Sequence, residues 1–200
     1  METLAARLRA ELNRIPVVDP HSHIDPRAPA ATSLNDLLGY HYYTELAHSA
    51  GMPTAALEAS GKELARRLAR WLPSLANTVQ YSWLMRIARE FFGFPHRDLV
   101  PGNVDELFDA VARTAAAPGW ADEVCRRSNL EAIFLTNDFD DPLAGFDTER
   151  YVPCLRVDDL VFKLGDPAVR ERFGQATGQD ATKLAWLEAG LDKIFDRFVS

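Results

Sequence analysis

The stretch Val17-Val18-Asp19-Pro20-His21-Ser22-His23 decides how this chain is interpreted. It joins a short apolar run that starts at Ile15 to two histidines separated by one residue. β-branched residues bounded by a proline predict a short strand, and the lack of polar alternation predicts a parallel strand buried on both faces. Side chains two positions apart in extended backbone point to the same side, so the two histidines should converge at the strand's carboxyl end.

Two converging imidazoles can share a divalent metal, and barrel enzymes build their active sites at the carboxyl ends of strands. His21 and His23 are therefore candidate metal ligands. Asp19 lies two positions before His21, so its side chain should point to the same side. By itself, a His-x-His motif in a loop is more often solvated than bound to a metal. Pro20 also withdraws a hydrogen-bond donor from what should be an interior strand, which is acceptable only if strand pairing has already loosened there.

The residues before and after this stretch carry helical periodicity. Leu4, Leu8 and Leu12 recur every four positions and predict an amphipathic helix over residues 2–13 whose apolar stripe packs against the fold. Residues 33–118 show almost continuous helical signals. We therefore expect a large helical insertion over about residues 33–128, directly after the first strand.

Two further apolar runs predict strands beyond this insertion. Ala132–Leu135 and Tyr151–Val157 are short, rich in strand-forming residues and flanked by helices or loops, the pattern of parallel strands with crossover connections. Apolar residues from Leu184 to Phe198 predict a closing amphipathic helix. The fold class is α/β, with about three strands where a closed barrel needs eight.

Composition narrows the possible partners and the compartment. The net charge is −7 and the basic residues are scattered, which argues against nucleic acid as a partner. No segment approaches the roughly 20 apolar residues of a membrane span, and the charged N-terminus does not fit a signal peptide. Cys125 and Cys154 match no metal or redox spacing and predict reduced thiols. We expect a cytoplasmic protein without membrane contacts.

Four segments resemble the uronate (glucuronate) isomerase family of the amidohydrolase superfamily, in the family's order and at similar spacing. They are Val18–His23, Gly39-Tyr40-His41-Tyr42, Thr136-Asn137-Asp138 with Asp140-Asp141, and Leu155-Arg156-Val157-Asp158. The likeness covers essentially the whole chain and corresponds to the N-terminal half of the family. It implies a partial (β/α)8 TIM-like barrel over residues 1–200, holding about the first three strands and the helical insertion after strand 1.

The resemblance also implies a function, which is the metal-dependent aldose-ketose isomerisation of a hexuronate in glucuronate catabolism. The reaction would convert D-glucuronate to D-fructuronate or D-galacturonate to D-tagaturonate. His21 and His23 would bind the divalent metal, with zinc first and manganese or iron as alternatives. His41 and Tyr42 would be catalytic and contact the sugar acid. Arg156 would hold the substrate carboxylate, which suits the planar fork of a guanidinium group.

Plainer interpretations of the same residues stay open. His41–Ser49 could be a helix whose first two side chains half-bury for packing. Arg156 could pair with Asp158, or cap an end of the sheet, instead of binding a ligand. Asn137 and Asp138 could set the loop after the second strand through local backbone bonds.

Two alternative functions also remain. The opening motif is shared by metal-dependent hydrolases of the superfamily, so hydrolysis competes with isomerisation. Alternatively, a 200-residue chain with about three strands could be a catalytically silent fragment, because an open parallel sheet leaves an edge and an apolar face uncovered. In that case we expect it to form homo-oligomers or to aggregate, to bind metal weakly and to lack turnover.

Overall fold

The computed structural model describes residues 3–199, which fall into two compact units. One unit comprises residues 30–123, and the other the described parts of residues 1–29 and 124–200. The strands are β1 (Val17–Asp19), β2 (Leu130–Phe134) and β3 (Tyr151–Val152). The α-helices are α1 (Leu4–Leu12), α2 (Leu34–Leu38), α3 (His41–Ser49), α4 (Gly61–Ala69), α5 (Val79–Phe92), α6 (Val104–Ala115), α7 (Trp120–Arg127), α8 (Asp158–Phe162), α9 (Pro167–Thr177) and α10 (Leu184–Val199).

The three strands form one parallel sheet in the order β1-β2-β3. An α/β fold with parallel strands and crossover connections was predicted, and both features are confirmed. The ladder between the second and third strands continues past their formal ends. The Leu135 amide donates to the Val152 carbonyl at 2.9 Å and the Asn137 amide to the Cys154 carbonyl at 2.9 Å. Backbone pairing therefore extends to the segments that carry the candidate site residues.

The first strand forms at the predicted place but is not buried on both faces. Val17 and Val18 are 44% and 49% exposed, and β1 is an edge of the sheet within the described residues. The leucine stripe of α1 is also exposed, at 68%, 55% and 66% for its three members, so the predicted packing of that helix is wrong. An apolar run shows that both faces suit burial, whereas coverage depends on elements elsewhere in the chain.

Pro20 lies just beyond β1, where regular pairing has ended. The next amide, that of His21, turns to the side chain of Asp19 at 3.2 Å instead of a neighbouring strand. The proline therefore removes no ladder hydrogen bond, as the sequence analysis required.

Two small cores support the sheet-bearing unit. One lies around Ile133 on β2, Leu135 just after β2 and Tyr151 on β3. The other joins the segment after β2 to α9 and α10, through Phe139, Val169, Phe173 and Ile194. In this second core α10 approaches α9 at Gly190, where an added Cβ would lie 2.2 Å from the Phe173 ring.

The unit of residues 30–123 is helical and has a core of its own. It contains α2 to α6 and two short 3₁₀ helices, Thr54–Glu58 and Leu72–Leu75. A capping box starts α2, where Ser33 and Asp36 each bond the other's backbone amide. Across residues 3–199, no helix is long and apolar enough to span a membrane.

Candidate metal and substrate site

The His-Ser-His segment is held by the residue between its two histidines. The Ser22 amide donates to the Phe134 carbonyl at 2.8 Å, and the Thr136 hydroxyl donates to the Ser22 carbonyl at 3.0 Å. Both bonds fix the segment against the carboxyl end of β2. The flanking histidine side chains are thereby presented on the same side of the backbone.

His21 and His23 converge as predicted from their parity. Their Nε2 atoms are 3.1 Å apart, and the rings meet edge to face with centroids 4.8 Å apart. Two nitrogens bound to one tetrahedral zinc at about 2.0–2.1 Å each would lie roughly 3.3 Å from one another. The pair therefore fits two coordination positions of one shared divalent metal ion. The same distance suits a hydrogen bond between a protonated and an unprotonated ring nitrogen.

In the part of the chain that the structure describes, a third metal ligand does not accompany this pair. Among residues 3–199, no group of three or more histidine, cysteine or carboxylate side chains is arranged to hold a metal ion. The two imidazoles leave the remaining coordination positions to other donors. Catalytic metal sites need such open positions, although three protein ligands are usual.

The histidine pair faces a cavity of about 430 Å³ at the carboxyl end of the sheet. This volume falls within the range typical of small-molecule sites. The cavity is lined by His21, His23, Leu135, Thr136, Cys154, Leu155, Arg156 and Asp158. The structure thus brings the two predicted metal ligands and the predicted carboxylate anchor to one cavity.

Arg156 is exposed and oriented by one carboxylate. Its Nε donates to Asp158 Oδ2 at 2.6 Å, as the plainer interpretation predicted. This hydrogen bond is the largest cause of a raised Arg156 pKa, which keeps the guanidinium charged. Over the described part of the chain, its two terminal Nη groups have no hydrogen-bond partner. They form a free fork of the kind that binds a carboxylate through two parallel bonds.

Asn137 links the two strand ends at the cavity. Its side-chain oxygen accepts from the Cys154 amide at 3.2 Å, and its carbonyl accepts from the Arg156 amide at 2.8 Å. Its side-chain nitrogen donates to Asp141 at 3.2 Å, and the Asp138 amide donates to the same carboxylate at 3.0 Å. The predicted local role of Asn137 in setting this loop is therefore confirmed.

Arg172 on α9 was not among the predicted site residues, yet it contacts carboxylates next to this site. It pairs with Asp138, Asp140 and Asp159 at 3.3, 2.5 and 2.8 Å. Its hydrogen bonds hold the pKa of Asp140 below the usual range. The available sequence signal was the acidic run from Asp138 to Asp141, which needs a cation if it folds against other elements.

His41 and Tyr42 lie in the other unit, at the start of α3. The predicted helix His41–Ser49 forms with these bounds. The two side chains are exposed and do not half-bury for packing, with Tyr42 50% exposed. Their rings contact each other, with centroids 4.2 Å apart, and both contact Tyr40. The result is an exposed aromatic cluster with hydroxyl and imidazole groups.

Comparison with known proteins gives this arrangement a context. The chain is 30% identical to a uronate isomerase from Rhizorhabdus wittichii over 94% of the chain and 44% of that relative. It is 27% identical to a uronate isomerase from Phenylobacterium zucineum over 88% of the chain and 42% of the relative. This chain resembles the uronate isomerases. The resemblance stated from the sequence motifs is therefore confirmed, although no family model matches.

Solved structures show the same fold as this uronate isomerase-like chain. A glucuronate isomerase from Caulobacter crescentus superposes with a TM-score of 0.83 at 23% identity, covering 98% of this chain and 46% of its own. A uronate isomerase from Thermotoga maritima gives a TM-score of 0.80 at 21% identity, covering 98% of this chain and 47% of its own. The chain spans a little under half the length of the relatives it matches.

Proposed function

We propose that this chain supplies two metal ligands and the carboxylate anchor of a hexuronate isomerase, within a partial (β/α)8 barrel. The observation that carries the proposal is the shared cavity of His21, His23 and Arg156 at the carboxyl ends of parallel strands. Active sites of barrel enzymes lie at this end of the sheet. Sequence similarity to uronate isomerases supports the choice of reaction.

The proposed reaction converts the C1 aldehyde of an open-chain uronate into a C2 ketone. A base removes the proton on C2, an enediol forms, and C1 receives a proton while the proton on O2 is lost and O1 is protonated. The sugar is isomerised without net oxidation. The protein must therefore anchor the substrate acid, move protons between neighbouring atoms and stabilise the charge that develops on oxygen.

His21 and His23 would hold the divalent metal through their Nε2 atoms, which lie 3.1 Å apart. A bound zinc, manganese or iron ion supplies Lewis-acid polarisation of a carbonyl or hydroxyl oxygen. The backbone bonds that fix Ser22 keep both rings on one side and so reduce the reorganisation needed for binding.

Arg156 would bind the C6 carboxylate through its two terminal nitrogens. Its Nε is already bound to Asp158, so the plane of the guanidinium is set before substrate arrives. Bidentate pairing adds directional specificity to charge attraction, and it would favour a uronate over a neutral aldose. The substrate class follows from this anchor.

His41 and Tyr42 would hold sugar hydroxyls or transfer protons between C2, O2 and C1. An imidazole can donate or accept a proton near neutral pH, and a phenol can donate a hydrogen bond to an oxygen that gains charge. Their exposure at the start of α3 leaves both groups accessible to a ligand. Neither group is committed to packing in the helical core.

Binding tests the anchor without requiring turnover. Calorimetry with the full chain and Zn²⁺ should show D-glucuronate or D-galacturonate binding about tenfold or more tightly than D-glucose, as expected for a charge-assisted pair. Arg156→Gln should remove this preference. Arg170→Gln is the matched control, because this half-buried arginine lies on the same helix and donates to the Gly165 carbonyl at 3.2 Å instead of to a carboxylate at the site. Equal binding of the acid and the neutral sugar by the wild-type chain would refute the anchor.

Metal binding and reaction class need separate measurements. His21→Ala and His23→Ala should each weaken Zn²⁺ binding by about tenfold or more, since each removes one ligand. His96→Ala is the control, because that ring pairs with Glu106 at 2.7 Å. Incubation with uronates and with lactone and amide panels then separates isomerisation from hydrolysis, and dominant hydrolysis would replace the isomerase proposal.

A further inference from the structure

Arg172 connects α9 to three carboxylates beside the cavity. Its Nε donates to Asp140 Oδ2 at 2.8 Å and its Nη2 to Asp140 Oδ1 at 2.5 Å, so this pair is bidentate. Nη1 donates to Asp159 at 2.8 Å, and Nη2 also contacts Asp138 at 3.3 Å. The guanidinium lies over the ring of Phe139 at 4.9 Å. One side chain thus holds both the segment after β2 and the start of α8.

We call Arg172 and its three carboxylate partners the Arg172 clamp. A short stretch of backbone links this clamp to Arg156. Asp138 is bonded to Arg172 and directly follows Asn137 in the chain. The Asn137 carbonyl accepts from the Arg156 amide at 2.8 Å, and its amide donates to the Cys154 carbonyl at 2.9 Å. A shift of the clamped segment would therefore move the backbone that carries the carboxylate anchor.

The clamp also occupies carboxylates that would compete for the anchor. Asp138 and Asp159 both attract the Arg156 guanidinium electrostatically. Arg172 binds both of them, which leaves Asp158 as the hydrogen-bond partner of Arg156. Without Arg172, Asp138 and Asp140 would lose their ion pairs with it, although Lys163 would still pair with Asp159 at 3.0 Å. Carboxylates released near the cavity would repel an acidic ligand.

We propose that Arg172 is a positioning residue that clamps Asp138, Asp140 and Asp159 and thereby keeps the Arg156 fork free for a substrate carboxylate. The proposal rests on the proposed function, because it assigns the anchor to Arg156. A fork is required for this task. A lysine at the same position restores one positive charge but cannot bond three carboxylates in fixed directions.

The first test measures the position of Arg156 without any ligand. In ¹⁵N NMR spectra of the full chain, Arg172→Gln should shift or broaden the Arg156 Nε–H signal. It should also speed amide exchange at Asn137 and Arg156, while the Ile133 amide stays protected. Arg172→Lys should show the same changes to a smaller degree. If the glutamine variant does not fold, this lysine variant tests whether Arg172 positions Arg156. Unchanged Arg156 signals in a folded variant overturn the proposal.

The second test measures discrimination between an acid and a neutral sugar. Arg172→Gln should lower the preference for D-glucuronate over D-glucose by about tenfold, since a competed fork loses charge-assisted bonds. Zn²⁺ affinity should change less than about twofold, because no histidine contact is altered. Arg170→Gln serves as the control. A general structural defect would weaken both sugars and the metal together, and that result overturns the assignment.

The two proposals fail differently. If the wild-type chain shows no preference for the uronate, the proposed anchor is wrong. The clamp is then judged by the Arg156 Nε–H signal and amide exchange alone. If the wild-type preference is present and Arg172→Gln preserves it, the clamp is wrong and the anchor stands.

Discussion

Replacing Gly190 by alanine would bring a methyl group into steric overlap with the end of the Phe173 ring. The added Cβ would lie 2.2 Å from Phe173 Cζ and 2.7 Å from Cε1, whereas carbon atoms in contact are about 3.5–4.0 Å apart. The ring is fully buried, so it cannot swing into solvent. Either α10 must move by about 1 Å away from α9, or Phe173 must leave its preferred rotamer.

Two opposing effects decide the magnitude. Alanine in a helix interior is favoured over glycine by about 1 kcal/mol. Overpacking of a close-packed core costs about 1–3 kcal/mol and occasionally more. Separation of α9 and α10 would also loosen the contacts of Phe139, Val169 and Ile194 around the ring. We expect the free energy of unfolding to fall by about 1–2 kcal/mol, so the steric effect exceeds the helix propensity.

Urea denaturation followed by circular dichroism measures this change. Gly174→Ala is the matched control, because it lies in α9 and its added Cβ would meet only the Gln179 carbonyl oxygen at 3.6 Å. That variant should be stabilised by about 0.5–1 kcal/mol. Adding Phe173→Leu to Gly190→Ala should recover part of the loss. A Gly190→Ala chain as stable as the Gly174→Ala chain would refute the close-contact argument.

Three further predictions concern stability and pH. Ser33→Ala breaks the capping box with Asp36, so the free energy of unfolding should fall by about 1 kcal/mol in urea titrations. Asp140→Asn should lower the free energy of unfolding by about 1–2 kcal/mol at neutral pH. Because Arg172 lowers the Asp140 pKa, this difference in stability should vanish in acid as pH falls through the lowered value. A difference that does not depend on pH would contradict the prediction. Burial raises the pKa of Tyr151 to about 12, so wild-type stability should fall between about pH 10 and 12 more than that of Tyr151→Phe.

Local patterns predicted the elements of this fold. The helix His41–Ser49 and the helix from Leu184 arise where apolar periodicity and its neighbours specify them, and both form as expected. The exposure of Val17 and Val18 was not predictable from the same information. Whether a strand is covered depends on elements far away in sequence, and the apolar run contains no information about those elements.

The same distinction holds for the candidate site: local spacing predicts one of its features, and only tertiary packing determines another. The convergence of His21 and His23 follows from their spacing and needs only extended backbone. The role of Arg172 does not follow from its surroundings, because its partners Asp138 and Asp140 precede it by more than thirty residues. On α9 an arginine is consistent with any solvated helix face. Only tertiary packing shows that it is held between carboxylates.

The continuation of the parallel ladder beyond β3 constrains where the chain can vary in length. Residues 142–149 connect two paired segments at the surface, so insertions there should be absorbed as a longer loop. A single residue inserted between Tyr151 and Arg156 would act differently, because the amides and carbonyls of this segment pair with those of residues 133–137. One step of register would turn the guanidinium to the opposite face of the sheet. Homologous chains that keep this site should therefore vary in loop length before Tyr151 and hold a fixed count after it.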